Sequence, residues 1–547
     1  MRGFYRYLVA PVLLAFLVAG CSGGSGAKEP SKPAGEPTKQ ESVDPNKPIQ
    51  GGTYTKSMGS DPQNLDPILK SDVASQMVTM QMFDNLIKYD PVAKQFVKSL
   101  AADYKISDDN KTYTFTLRKG ATFHNGREIK AADVKYSFER ASTAKFKPVT
   151  LNLFDKVVGH AEFRDGKAPE ITGISVKGDY ELVITLREPK ATFLLDISGP
   201  TSGIVPKEEV EKLGEDFGQK PVGSGPFKLE SWTKDDKIVL AANDKFHSGR
   251  PYLDKVIFRI MKEETTRDAE FQNGTVDSMV LGETLYKKYS ADSERKKGLV
   301  EVPELFTRAI HFNTTKAPFD NVKVRQAINH AIDKKAIVEK VLANKAFPAT
   351  GVLPSSSPAF DPNLKGYEFS TDKAKQLLKE AGFEKGFEFE VLVTSTTAKW
   401  MEAMNTYLNP LGINGKIVQM ESATLLERSR TGEFHAVIFS TGGDSDPISF
   451  LGRFHSRNFG RAGNVTLYKN AKVDQLLDEA SKITDQAKRI QMAREAEKII
   501  VEEAPWFIFN YNKAVLIAQP WVHGLRPVPT DIDFQDLSKV WVEPKKK

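Results

Sequence analysis

The stretch FHAVIFSTGGDSDPISF, residues 434–450, joins an apolar segment to a polar, acidic one. Residues 434–439 form an apolar run of strand length, and residues 441–447 are turn formers rich in glycine and aspartate. A buried strand that ends in a polar, acidic loop is a common way to position a ligand-binding group. The same residues also fit an ordinary loop before a helix, with Asp444 or Asp446 as the helix cap.

The length and composition describe a soluble globular protein with several lobes. The chain has 547 residues, too many for one hydrophobic core, with 40% apolar and 27% charged residues. Its 77 basic and 71 acidic residues are interleaved and leave a net charge of only +6. We therefore expect a mixed, solvated surface and no nucleic-acid partner.

The N-terminal region has the features of an exported lipoprotein. Arg2 and Arg6 precede an apolar run at residues 8–18, which is too short to span a bilayer. Cys21 is the only cysteine, which excludes an internal disulfide and a thiolate metal cluster, and VAGC at residues 18–21 resembles a bacterial lipobox. We expect a signal peptide at 1–20, a lipidated N-terminus on Cys21 with a flexible tether over 21–50, and an extracytoplasmic, membrane-anchored protein.

From residue 51 onward, short strand patterns alternate with helix patterns, which indicates the α/β class. Asn321 and Thr371 are expected to cap two of the helices, and Gly382 is expected to end the second. Strands are predicted at 103–106, 112–118, 180–186, 256–260, 307–312, 387–393, 414–420 and 506–509. Helices are predicted at 131–141, 321–343, 371–382 and 399–408, with a helical hairpin at 473–503.

Catalytic patterns do not emerge from the sequence. It contains no HExxH, no P-loop, no GxGxxG that opens a helix and no GxSxG elbow. The eight histidines are scattered, and a lone histidine on an apolar strand, such as His311 or His435, is more often structural than a ligand. We expect a protein that is not an enzyme and needs no cofactor or metal, with a secreted hydrolase as the alternative from another class.

Several segments, taken in order, resemble the extracytoplasmic solute-binding proteins of peptide and nickel ABC transporters. Each segment alone is a weak signal, but the combination covers nearly everything from residue 51 to the end. The segments are GGT (51–53), NLDP (64–67), LAAD (100–103), YTFTLRKG (113–120), FHNG (123–126), ADV (132–134), VGSGPF (222–227) and VRQA (324–327).

The resemblance implies a three-lobed periplasmic-binding-protein-like fold. Two main lobes would be joined by a two-strand hinge near 307–312 and 507–511, and an extra small lobe would be inserted in the first. Carried onto this chain, lobe I would comprise 51–85, 218–306 and 511–547. Lobe II would comprise 86–217, and lobe III 307–510.

The resemblance also implies a ligand held between two extended segments, one in each main lobe. An added peptide strand would gain affinity from main-chain hydrogen bonds, whatever its sequence. On this chain the lobe I segment would be residues 69–73. The implied contact residues are Asp72 and Val73 in lobe I and Phe439, Ser440 and Thr441 in lobe III.

The family's anchor for the ligand ammonium is an aspartate four residues before the proline of an acidic-Pro motif. Counted back from Pro447, that position is Gly443, and the available carboxylates are Asp444 and Asp446. Either the loop takes a slightly different path and Asp444 serves as the anchor, or the ligand has no free ammonium.

The implied function is capture of a peptide and its delivery to ABC permease subunits by a monomeric receptor anchored at the membrane. A receptor of the same fold for a nickel chelate or an oligosaccharide is the alternative, because such family members also lack an aspartate at the anchor position.

Overall fold

The computed structural model describes residues 47–69, 72–149, 153–460 and 463–545, and residues 45–547 cluster as one unit. The predicted signal peptide, Cys21 and the tether up to residue 46 lie outside the described residues, so these stay predictions. No helix in the described ranges has the length and apolar character needed to cross a membrane.

The strands are short at the periphery and long at two central positions. They are β1 (Thr53–Met58), β2 (Ile87–Asp90), β3 (Gln95–Lys98), β4 (Ala101–Ile106), β5 (Thr112–Leu117), β6 (Ile174–Val176), β7 (Glu181–Thr185), β8 (Phe227–Thr233), β9 (Lys237–Ala242), β10 (Lys255–Ile260), β11 (Ser278–Val280), β12 (Leu299–Phe312), β13 (Ala346–Pro348), β14 (Phe387–Val393), β15 (Ile413–Gln419), β16 (Ala436–Gly442), β17 (Trp506–Ala518), β18 (Val522–His523) and β19 (Trp541–Val542).

The longer helices are concentrated in the second half of the chain. The α-helices are α1 (Val73–Met82), α2 (Ala131–Ala141), α3 (His160–Arg164), α4 (Phe193–Ser198), α5 (Lys207–Leu213), α6 (Glu264–Gln272), α7 (Glu283–Ala291), α8 (Val322–Ala331), α9 (Lys334–Lys340), α10 (Thr371–Glu380), α11 (Ser395–Leu408), α12 (Ser422–Thr431), α13 (Pro447–Leu451), α14 (Ala471–Lys482) and α15 (Gln486–Glu503).

Over the described residues, eleven strands form one mixed sheet with β12 and β17 at its centre. The order is β15-β14-β16-β12-β17-β11-β1-β10-β9-β8, and β13 also pairs with β17. One part of β12 pairs with β16, and one part of β17 pairs with β11. The two long antiparallel strands therefore connect the β14–β16 side of the sheet with the β1 and β8–β10 side.

The pairing of β12 with β17 is interrupted at one place. Pro303 pairs with Lys513 and Thr307 pairs with Tyr511, so residues 304–306 of β12 face only Asn512 of β17. Such a bulge bends the strands and increases their twist. It lies next to the segments in which the hinge was predicted.

Each side of the sheet carries its own core. Helices α8, α10 and α11 cover one face of β12, β14 and β16. On the other face, α13, α14 and α15 pack on β12 and β17, and α12 packs on β14 and β16. A separate sheet, β4-β5-β7-β6, packs with α2 and lies wholly within the range predicted for lobe II. The lobe boundaries themselves stay predictions.

Most of the predicted elements are confirmed, and two details are wrong. The helix at 131–141 and the strand at 387–393 are present with the predicted bounds, and α14 and α15 are the predicted hairpin. The helix predicted over 321–343 is two helices, because the Asp333 side chain accepts a hydrogen bond from the Ala336 N–H and starts α9. Asn321 caps α8 as expected, but Ser370, not Thr371, caps α10.

Candidate functional site

A cavity of about 610 Å³ lies between α1, the β2–β3 hairpin, the loop after β16 and the C-terminal segment 526–536. Its wall combines apolar side chains with several charged groups. Three of the residues predicted from the sequence line it, namely Val73, Gly443 and Asp444. Segments that are hundreds of residues apart in the chain therefore meet at the loop after β16, where the sequence predicts the ligand site.

Carboxylates outnumber cations in the cavity wall. Lys88 and Arg526 are the positively charged residues among its lining, and the negatively charged ones are Asp90, Asp444, Asp531 and Asp536. Both cations are paired: Arg526 contacts Asp90 at 2.9 Å, and Lys88 contacts the buried Asp84 at 2.8 Å. The excess of carboxyl groups over cations in the wall suits a ligand with a cationic group.

Asp531, one of the carboxylates that line the cavity, has a pKa well above that of an ordinary aspartate. It accepts a hydrogen bond from the Asp533 N–H at 2.9 Å, and Asp533 is itself paired with the buried Lys56 at 2.8 Å. Burial, reinforced by the nearby Asp533 carboxylate, raises the pKa of Asp531 to about 7. Asp531 was not predicted from the sequence, because an isolated aspartate in a C-terminal loop carries no pattern.

Close backbone packing explains the two glycines where β16 ends, Gly442 and Gly443. A Cβ on Gly442 would lie 1.9 Å from the Leu305 carbonyl oxygen, and Gly443 has a φ of +90°, which L side chains rarely adopt. The Gly443 N–H donates to the same Leu305 carbonyl at 2.8 Å. The loop thus turns against β12 and presents Asp444 to the cavity.

One edge of β16 is free beyond its first residues. The edge toward β12 is paired from Ala436 to Gly442, but the opposite edge pairs with β14 only at Ala436 and Val437. From Ile438 onward, no strand in the described ranges pairs with this second edge. Phe439, Ser440 and Thr441 lie on it, although they do not line the 610 Å³ cavity.

Asp444 forms an ion pair with Arg453, which follows it closely in the chain. Its carboxylate lies 2.7 Å from the Arg453 guanidinium, and its side chain is 33% exposed. A ligand ammonium would share this carboxylate with Arg453. The role of Asp444 as an amine anchor stays a prediction.

Asp446 and Asp72 have clear structural partners. Asp446 caps α13 by accepting from the Ser449 N–H at 2.9 Å, and it forms an ion pair with Arg489, which is only 1% exposed. Asp72 caps α1 by accepting from the Ser75 N–H at 2.8 Å. Neither lines the 610 Å³ cavity, and these contacts match the cap interpretation of the loop, so a ligand role for Asp446 or Asp72 has no support from this geometry.

The histidine next to the free edge is a core residue. His311 packs between Phe439 and Trp506, and its Nε2 lies 3.4 Å from the Thr441 hydroxyl. Burial, with a smaller effect of Arg453, lowers the pKa of His311 to about 3. His311 is therefore neutral near pH 7 and supports the strand that carries Thr441.

Comparison with known proteins places this geometry in a family. The profile described as "bacterial extracellular solute-binding proteins, family 5 middle" matches residues 95–461, more than half of the chain.

Two relatives are similar over nearly the whole length. The glutathione-binding protein GsiB of Salmonella paratyphi A is 32% identical over 497 residues, which cover 88% of this chain and 93% of that protein. The heme-binding protein A of Haemophilus influenzae is 30% identical over 519 residues, which cover 89% and 92%. The solved structure of the periplasmic binding protein DppA from Helicobacter pylori, in complex with the peptide STSA, matches with a TM-score of 0.75 and 27% identity over 91% of this chain and 99% of that one.

Proposed function

Because the chain belongs to family 5 of the bacterial extracellular solute-binding proteins, we propose that it captures peptides outside the cytoplasm and passes them to the permease of an ABC importer. The fold is that of the multi-lobed α/β periplasmic binding proteins. Members of this family are solute-binding proteins, and we propose that this chain has no catalytic role.

The free edge of β16 is the observation that carries the proposal. A strand edge with unpaired N–H and C=O groups accepts an extended peptide by main-chain hydrogen bonds, independently of the peptide's side chains. The excess of carboxylates in the neighbouring cavity supplies a complementary place for the ammonium group at the peptide's N-terminus. Together they suit a ligand that is extended and positively charged at one end.

Closure about β12 and β17 would complete the site. The bulge at residues 304–306 is a place where both long strands can bend without loss of the pairing on either side. A ligand that contacts both lobes only in the closed form would stabilise that form by population shift. The lobes and the hinge are part of the proposal.

We further propose that the protein is held at the outer face of the membrane by a lipid on Cys21 and acts as a monomer. The lipobox-like VAGC sequence supports the anchor. A tether of about thirty residues would let the receptor reach the permease in the same membrane.

The test uses the mature protein purified from cells and the same protein after unfolding and refolding to remove ligand. We expect native mass spectrometry to find intact peptides bound to the first sample, and calorimetry to measure their rebinding to the second. The relatives named above justify glutathione and heme as additional ligands in the titration. Selective binding of heme or a nickel chelate, with no peptide bound, would refute peptide capture, and hydrolysis of the peptides would refute the non-catalytic role.

A further inference from the structure

An arginine without a polar partner lies on the face of the sheet that α11 covers. The Arg308 guanidinium stacks on the Trp400 ring with 4.5 Å between the guanidinium carbon and the ring centroid. Its Nε is fully buried, and among the described residues no side chain or carbonyl accepts a hydrogen bond from Arg308. An arginine offers five donors in a fixed fork, and here only the Nε is buried, so the terminal nitrogens remain accessible to a ligand.

The residues beside Arg308 on β17 share this lack of partners. Asn510, which pairs in register with Arg308, is 0% exposed, and neither its amide nitrogen nor its side-chain oxygen has a partner. The side-chain oxygen of Asn512 is also unpaired, while its nitrogen donates to Glu304. Buried polar groups without partners cost free energy, so a cluster of them indicates a group that is still to be bound.

The nearby carboxylates do not neutralise Arg308. Glu283 and Glu304 are the acidic groups that act on it most, but neither comes within the 4.0 Å of an ion pair. Glu283 is paired with Lys399 at 2.6 Å, and Glu304 accepts from Asn512. Burial lowers the pKa of Arg308, yet an arginine remains charged at any physiological pH.

Arg308 is also adjacent to the free edge of β16. It pairs in register with Ser440, one of the residues on that edge. Since neighbouring strands are about 4.8 Å apart, a peptide strand added to β16 would lie about 10 Å from the Arg308 backbone. The long arginine side chain can approach a ligand at this distance.

We propose that Arg308, assisted by the Asn510 amide, binds a carboxylate of the captured ligand. A carboxylate can accept two parallel hydrogen bonds from a planar guanidinium, and none of the described protein groups accepts them from Arg308. This assignment rests on the peptide capture proposed above. The ligand would then carry a carboxylate that binds Arg308 in addition to the cationic group that suits the cavity. The carboxylate is either the C-terminus of the peptide or an acidic side chain.

The test compares tri-, tetra- and pentaalanine, each as the free acid and as the C-terminal amide, by calorimetric titration of ligand-free protein. We expect the free acids to bind at least about tenfold more tightly than the amides, as a charge-assisted hydrogen bond allows. Arg308→Gln should abolish this difference, and Arg308→Lys should keep part of it. Lys385→Gln, which removes an exposed positive charge elsewhere, is the matched control and should keep the full difference.

The outcomes separate the two proposals. Equal binding of free acids and amides to the parent protein would overturn the role of Arg308 and leave peptide capture intact, whereas binding of none of the six peptides would refute both. If Ala-Glu-Ala amide binds as tightly as trialanine and loses its affinity in Arg308→Gln, the recognised carboxylate includes an acidic side chain.

A stability measurement distinguishes a binding role from a structural one. Because the Arg308 Nε is buried without a hydrogen-bond acceptor, Arg308→Gln should raise the Tm of the ligand-free protein. A lower Tm together with an unchanged preference for free acids would show that the arginine only supports Trp400, and would overturn the inference.

Discussion

At the scale of single residues, Asp444 can anchor a ligand ammonium only in competition with Arg453, and this anchor stays a prediction. Arg453 already neutralises this carboxylate at 2.7 Å, so the net gain from a ligand ammonium depends on how the two cations share it. We expect Asp444→Asn to weaken binding of peptides with a free N-terminus at least about tenfold and to leave N-acetylated peptides little changed. Calorimetric titration with matched free and acetylated peptides measures the difference.

Asp531→Asn is the comparison variant for this prediction, because Asp531 lines the same cavity without an ion-pair partner of its own. If the loss appears in Asp531→Asn and not in Asp444→Asn, the anchor lies in the C-terminal segment. Equal affinity of the parent protein for free and acetylated peptides would reject an ammonium anchor at either carboxylate.

At the scale of elements, the turn after β16 depends on the absence of a side chain at Gly442. A methyl group there would lie 1.9 Å from the Leu305 carbonyl oxygen and would push β16 away from β12. We expect Gly442→Ala to lower the free energy of unfolding by about 1–3 kcal/mol, measured by urea denaturation. The variant should also bind peptide more weakly, because the same displacement moves Asp444.

Gly452→Ala is the control for this effect. Its added Cβ would be 3.6 Å from the Asn458 amide nitrogen, an ordinary contact, and its φ is that of a helix. We expect a change within about 0.5 kcal/mol. Similar destabilisation in both variants would contradict the steric explanation.

At the scale of the whole molecule, the proposed attachment to the membrane would depend on one side chain, that of Cys21. If Cys21 carries the lipid, Cys21→Ser should release the protein into the medium or periplasm, because no other predicted segment anchors it. Immunoblots of membrane and soluble fractions measure this, with Ser22→Ala as a control that should remain in the membrane fraction. Retention of Cys21→Ser in the membrane fraction would argue against lipidation.

The family, the alternation of strands and helices, and the strand and loop that border the cavity could be predicted from the amino-acid sequence. These follow from local patterns: apolar periodicity, the capping residue Asn321, and the turn-forming glycines at residues 442–443. Local patterns also misplaced by one residue the cap that Ser370 provides for α10. They merged α8 with α9, although the Asp333 side chain caps the start of a second helix.

Which carboxylates face the cavity depends on the tertiary structure. Asp444 and Asp446 are two residues apart, yet Asp446 is held by Arg489, 43 residues away, while Asp444 faces a cavity shared with Asp531. The unpartnered groups of Arg308 and Asn510 likewise come together only because β12 and β17, which are distant in the chain, pair in the sheet. Ion pairs and desolvation depend on distances in space, and a single sequence without covariation does not encode those distances in any local pattern.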